Sequence, residues 1–158
     1  MAKQKDDKPA LDPGMLHAAQ SPLGGRGVFA GRDIPADTII EVAPVIILHG
    51  VDAALAKQTA LHNYFFRWGD SQETIAICLG LGSLYNHSDT PNVVYVRDFQ
   101  AETIRFRTLR RISQGEELLT DYHGGRRRSD RYAFEKTTSN KNYRSEPTTW
   151  HTDEPNTG

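Results

Sequence analysis

The sequence predicts a single, mostly β domain with few and short helices. Three observations carry that prediction. Its apolar segments are short and β-branched, glycine- or proline-marked turns separate them, and only one central stretch shows a helical period. The chain has 158 residues, which gives room for one sizeable core rather than two. Hydrophobic residues make up 37% and charged residues 25%, a soluble globular balance.

Two shifts in composition bound the folded part. Residues 1–13 are charged and poor in apolar side chains, and residues 136–158 are polar with two prolines. Such segments bury too little apolar surface to offset their ordering entropy. A disordered N-terminal tail over 1–13 and a flexible C-terminal tail over 136–158 are therefore expected around a domain at 14–135.

The elements follow in order. Gly27 to Ala30 reads as a strand after a glycine-rich turn, and Thr38 to Val42 and Val45 to Leu48 are β-branched runs separated by Pro44, a break or edge position. Val51 to Leu61 is the helix candidate, with Val51, Leu55 and Ala54 on its apolar face. Thr74 to Leu79 and Asn92 to Val96 are further strands. Asp98 to Ala101 reads as a hairpin turn, and the alternation that follows puts Ile104 and Phe106 inward with Arg105 and Arg107 outward. Arg127 to Glu135 reads as a short helix presenting Tyr132 and Phe134.

Composition also excludes function classes. A net charge of -1 gives no basic face for phosphates, so direct nucleic-acid binding is not expected. Apolar runs fall far short of the ~20 residues that span a bilayer, and the N-terminus lacks the apolar segment of a signal peptide. An intracellular, cytoplasmic or nuclear, non-secreted protein is expected, without a membrane partner. Cys78 is the only cysteine, so neither an internal disulfide nor a multi-cysteine zinc site can form. Between Ile77 and Leu79 it reads as a small buried hydrophobe of a strand.

Three blocks carry chemistry. In Ser21-Pro22-Leu23-Gly24-Gly25-Arg26-Gly27, three glycines in four residues let the backbone approach a ligand closely, although an ordinary tight turn explains them equally well. In Gly82 to Asn92, dense small polar residues suggest a hydrogen-bonded loop. There Asn86 offers an amide carbonyl and an NH₂ to an amino-acid-like group, and His87 reads as structural because no second ligand stands at metal spacing. No metal is expected. Gly115 to Tyr122 is an amphipathic strand ending in an aromatic, for which a core tyrosine is the plain alternative.

Their order is more specific than any one of them. GGRGVFA, SLYNHSDTPN and GEELLTDY, with TLRRISQGEEL leading into the last, resemble the signature of SET-domain lysine methyltransferases from Ser21 to Gly124. The short loops and missing cysteine-rich flanks are most similar to the small single-domain members, including the viral histone methyltransferase. The resemblance implies small curved β-sheets around a C-terminal pseudoknot, an exception to the rule against threaded loops. It implies S-adenosylmethionine as methyl donor, S-adenosylhomocysteine as product, and a lysine-bearing protein or peptide, such as a histone tail, as substrate. The viral relative further suggests a homodimer.

Carried over residue by residue, the resemblance assigns Gly25, Arg26 and Gly27 to the methionine end of the cofactor, together with Asn86. His87 would contact the adenosine portion largely through its backbone, Tyr122 would stand at the methyl-transfer site, and Arg67 could reach the cofactor. Tyr64, Tyr85 and Thr120 would line the lysine channel. Arg26 departs from the aromatic of the viral relative. Thr120 replaces a Phe or Tyr of several relatives and favours di- or trimethylation. With the zinc-binding cysteine segment absent, Tyr132, Phe134 and Trp150 are the candidates to close the pocket. Arg126-Arg127-Arg128 favours an acidic-leaning partner or is simply solvated. The competing readings are a catalytically inactive SET-like module that binds a peptide or methylated lysine, and a structural β domain in which the motifs coincide.

Overall fold

A computed structural model describes residues 12, 14–69, 71 and 73–122. The helix expected over 127–135, the pocket-closing aromatics, the arginine cluster and nearly all of both tails lie outside the described residues.

Two sheets share one core. The first has the strand order β1-β2-β9-β6 and is built from β1 (Leu16–Gln20), β2 (Arg26–Ala30), β6 (Asn86–His87) and β9 (Glu117–Thr120). The second has the order β4-β5-β3-β8-β7, from β3 (Ile39–His49), β4 (Phe65–Arg67), β5 (Thr74–Cys78), β7 (Val93–Asp98) and β8 (Thr103–Thr108). Val28, Ala30 and Leu118 of the first sheet pack with Ile40, Ala43, Ala76, Val93, Ile104 and Phe106 of the second. Leu118 and Phe106 are fully buried, so truncating either to alanine would cost about 2–5 kcal/mol. The domain is mostly β, as expected.

Pro44 does not break the chain. Residues 39–49 form one continuous strand that changes partner at the proline. Ile39 to Pro44 pair with β8, and Val45 to His49 pair with β5. The missing N–H falls at the handover, where it removes no central ladder bond. The Pro44 carbonyl still accepts from Leu79 N–H at 3.0 Å.

The helix is shorter than its apolar pattern and uses the opposite face. It spans Gly50–Ala56 (α1), followed by a 3₁₀ turn over Ala60–Asn63. Ala53 and Ala56 are buried against Ile75, whereas Val51 and Leu55 are exposed. The helix lies close on β3 and β5, so methyl-sized side chains fit the contact and larger ones turn outward.

Arg107 also departs from the alternation. Ile104 and Phe106 are buried as expected, but Arg107 is buried with them, and its Nη1 donates to Asp37 Oδ1 at 2.9 Å. Asp37 adopts a φ of 58°, in a turn that brings its carboxylate over the strand. An ion pair reached across that turn overrides the period-2 rule.

Candidate active site

The three sequence blocks converge on β9. It runs antiparallel to β2, with Val28 opposite Leu118, and parallel to β6, with Asn86 opposite Leu119 and His87 opposite Thr120. Residues 86–92 clasp it. Ser88 N–H donates to Thr120 O at 2.9 Å, and Asn92 N–H to Leu119 O at 3.2 Å. The buried Asn92 side chain accepts from Leu119 N–H at 2.7 Å and donates to Glu117 O at 2.8 Å and Glu116 Oε1 at 3.1 Å. One amide thus fixes the register of the clasp on the strand.

The clasp delivers Tyr122 to the loop before β6. Its backbone N–H donates to His87 Nδ1 at 3.1 Å, and its hydroxyl donates to Tyr85 O at 2.8 Å. Because His87 Nδ1 accepts, its ring hydrogen sits on Nε2, facing Asp89 Oδ1 at 3.2 Å. The His87 ring is tilted beside the Tyr122 ring, with centroids 5.3 Å apart. Partial burial, then Tyr64 and then Glu117 raise the Tyr122 phenol above its ordinary value. At neutral pH this tyrosine is a neutral phenol whose own hydrogen is occupied, so its oxygen can only accept.

The glycine turn lies on the other side of β9. Gly24 and Gly25 have φ values of 114° and 62°, which a side chain would strain, and open space lies where their Cβ atoms would be. Gly25 O accepts from Ser21 N–H at 3.0 Å, closing the turn between β1 and β2. Asn86 Nδ2 reaches across to Arg26 O at 3.2 Å and to Glu117 Oε1 at 2.8 Å. Gly25, Arg26, Gly27, Asn86, His87 and Tyr122 are therefore gathered around one strand.

The remaining expected residues stand differently. Tyr64 is partly exposed, and its influence on Tyr122 marks the two as neighbours. Thr120 is buried, with its carbonyl in the clasp. The Tyr85 ring belongs to the core: it stacks on Phe106 at 4.5 Å, and its hydroxyl donates to Glu41 Oε2 at 3.1 Å. Burial pushes that hydroxyl well up, and Tyr85 meets the site through its carbonyl. Arg67 ends β4 in the other sheet, where its carbonyl accepts from Arg97 Nη1 at 2.6 Å.

Three further residues stand at or behind the site without a sequence motif that announces their role. Glu117 bridges Asn86 and, at 3.0 Å, Ser21 Oγ. Its place in GEELLTDY offered a signal, since strand alternation puts it on the opposite face from buried Leu118. Tyr95 packs edge-on against Phe66 at 5.1 Å, and Asp121 and Tyr122 lie close enough to help burial raise its phenol. Glu41 is fully buried and accepts from Leu81 N–H at 2.8 Å as well as from Tyr85. Nothing in the local pattern distinguishes either from a core tyrosine or a surface glutamate.

Among the described residues, no group of three or more His, Cys, Asp or Glu side chains could hold a metal ion, and no helix is long and apolar enough to cross a membrane. Cys78 is buried, and burial followed by the charge of Glu41 pushes its thiol up to about 12. It is an inert packing residue.

A strand clasped between a glycine turn and an Asn-His loop, with a tyrosine just beyond its end, defines a fold also found by comparison with known proteins. The family model for the SET domain matches residues 25–123, and the chain belongs to that family. A histone-lysine N-methyltransferase of Schizosaccharomyces pombe, H3 lysine-37 specific, is 40% identical over 99 residues. The match spans 62% of this chain and 66% of that relative, just under two thirds of its length. Among solved structures, a candidate histone methyltransferase of Plasmodium falciparum superposes with a TM-score of 0.51 at 25% identity, covering 68% of this chain and 92% of that one. CpSET8 from Cryptosporidium gives a TM-score of 0.50 at 27% identity, covering 68% of this chain and 56% of that one.

Proposed function

We propose that the chain is a protein-lysine N-methyltransferase that uses S-adenosylmethionine. The observation that carries this reading is the meeting of a neutral Tyr122 phenol with the Tyr85 carbonyl, beside Asn86 and the glycine turn. Family membership and the activity in the relatives' names support it.

The residues present fit the donor. Open space faces Gly24 and Gly25, the backbone of Arg26 and Gly27 lines the same strand, and Asn86 brings an amide beside them. Gly25, Arg26, Gly27 and Asn86 would hold the amino-acid end and His87 the adenosine side by its backbone; Arg67, at the end of β4, would have to reach across from the other sheet to add a contact. When bound, S-adenosylmethionine supplies a sulfonium-activated methyl group.

The chain's own residues must deliver a neutral amine. A lysine with a pKa near ~10.4 loses its proton at pH 7 at a cost of about 4.6 kcal/mol in water. Tyr64 and Tyr95, each close enough to Tyr122 to couple to its phenol, would wall the amine's approach with aromatic rings, disfavour the charged ammonium and so lower that cost. The Tyr122 oxygen accepts an N–H of the incoming amine and aligns its lone pair; with its hydrogen held by Tyr85 O, it is an orienting group rather than a base. Thr120, smaller than a Phe or Tyr at its position, would leave more room for a methylated amine and hence favour di- or trimethylation.

The substrate is a lysine-bearing protein, with a histone tail first by the relatives' names, in the nucleus or cytoplasm. The test combines calorimetry with S-adenosylmethionine and mass spectrometry of an H3 tail peptide and a cell lysate after incubation. Donor binding and added multiples of 14 Da on lysine are expected. No donor binding would end the proposal, and peptide binding without transfer would leave a binding module in its place.

A further inference from the structure

Glu117 is held at both carboxylate oxygens by two different elements. Oε2 accepts from Ser21 Oγ at 3.0 Å, in the turn between β1 and β2, and Oε1 accepts from Asn86 Nδ2 at 2.8 Å, on β6. Ser21 is buried and its hydroxyl also accepts from Leu23 N–H at 3.0 Å, so that anchor is fixed in turn. Room for the pair comes from Gly27: a Cβ there would lie 2.1 Å from Glu117 Oε1 and 3.0 Å from Asn86 Nδ2.

The arrangement decides which way the Asn86 amide points. An amide presents an NH₂ on one branch and an oxygen on the other, and rotation by half a turn exchanges them. Here the inner branch faces two acceptors, the Arg26 carbonyl at 3.2 Å and the Glu117 carboxylate at 2.8 Å. Neither can donate, so only the NH₂ satisfies that side. Oδ1 makes no described bond within the protein and lies on the branch away from those two acceptors. The outward group is therefore an acceptor, suited to an ammonium and unsuited to a carboxylate.

We infer that Glu117 is the positioning residue of this site: by accepting from Asn86, it holds the amide oxygen outward to take the ammonium of an amino-acid-bearing nucleoside. It acts through Asn86 rather than on the reacting atoms. The inference rests on the methyltransferase reading for the identity of that nucleoside. Without Glu117, the inner branch keeps one acceptor instead of two, and the amide can turn its NH₂ toward the ligand.

The experiment compares two nucleosides that differ only at the amino-acid end. S-Adenosylhomocysteine carries the ammonium; 5′-methylthioadenosine has the same adenosine and thioether but lacks the ammonium and carboxylate. Dissociation constants for both are measured by calorimetry on the full chain and on E117A and E117Q, with circular dichroism confirming the fold. E117A is expected to weaken S-adenosylhomocysteine at least about tenfold, the loss of one charge-assisted hydrogen bond, and to leave 5′-methylthioadenosine within about twofold. E117Q, which restores an acceptor for Asn86, is expected to stay within about threefold of the native chain for both.

Unchanged S-adenosylhomocysteine binding by E117A would overturn the inference alone. So would an equal loss of both nucleosides by a folded variant, or equal loss in E117Q and E117A. Should E117A not fold, Glu117→Asp keeps the charge but is one methylene too short to span Ser21 and Asn86, and carries the same expectation of selective loss. A native chain that binds neither nucleoside would instead sink the methyltransferase reading, and this inference with it.

Discussion

The hydroxyl of Tyr122 donates to the carbonyl oxygen of Tyr85 at 2.8 Å, across 37 positions of sequence. The bond holds the phenol beside the Asn86-His87 strand and fixes which lone pairs face outward. It also assigns Tyr85 two unrelated tasks. Its ring and hydroxyl belong to the core with Phe106 and Glu41, while its carbonyl holds the Tyr122 hydroxyl.

Replacing Tyr122 with phenylalanine removes that bond and the outward oxygen but leaves the ring. Methyl transfer is expected to fall at least tenfold, about 1.4 kcal/mol in the barrier. S-Adenosylhomocysteine affinity is expected to change less than threefold, because the hydroxyl bonds Tyr85 O and none of the groups proposed to hold the amino-acid end. Equal turnover in a mass-spectrometric lysine assay would remove Tyr122 from the chemistry. Because the phenol is raised, no falling limb from its ionisation should appear in the pH–rate profile below about pH 10.

Gly27 is predicted to tolerate no side chain without loss of binding. The Cβ of Gly27→Ala would meet the far end of Glu117, a flexible group that can move, rather than backbone. The fold should survive, and the melting temperature should shift by no more than a few degrees. The displaced carboxylate would release Asn86, so S-adenosylhomocysteine affinity should fall at least about tenfold. A variant that melts normally and binds normally would contradict the tight packing at this strand.

What the sequence disclosed depended on whether the chemistry was local. The glycine turn, the Asn86-His87 loop and the Tyr122 strand were legible because their residue types serve backbone geometry and hydrogen bonding, which a short motif records. Arg107 departs from the alternation because its partner, Asp37, lies 70 positions away in a left-handed turn. Val51 and Leu55 face outward against their period because a helix pattern records hydrophobicity, not how closely the neighbouring sheet approaches. Glu117 stood inside a motif, but its function needs Ser21 and Asn86 together, a juxtaposition created only when the strand is clasped.

Asn92 should be the residue on which the clasp depends most. Its buried side chain makes three hydrogen bonds to β9 and the residue before it. Asn92→Ala leaves Leu119 N–H and Glu117 O without those partners, a cost of about 2–4 kcal/mol. Urea titration should show a matching loss of stability. Hydrogen exchange should quicken at Leu119 before it does at Phe106, because the clasp opens without the second sheet. Uniform exchange across both would mean that the clasp and the core unfold as one unit.

Glu41 predicts a pH dependence opposite to that of most carboxylates. Burial raises its pKa above the ordinary 4.5, and the bonds from Leu81, Tyr85 and Gly82 oppose that shift only in part. A carboxyl with a raised folded pKa penalises the fold fully at pH values above that pKa, where burial must hold a charge. The penalty lifts as pH falls toward 4.5, and none remains once both states are protonated. Asp33, lowered by the Gln114 N–H and then Arg111, and Glu116, lowered first by Arg110, contribute the other way but are shared by both proteins in a comparison with Glu41→Gln. The stability of the native chain relative to E41Q should therefore rise on acidification from pH 7 to pH 5, measured by urea unfolding at each pH. A difference that stayed flat, or that fell with pH, would mean that the buried carboxylate carries no net desolvation penalty and that its three donors fully offset burial.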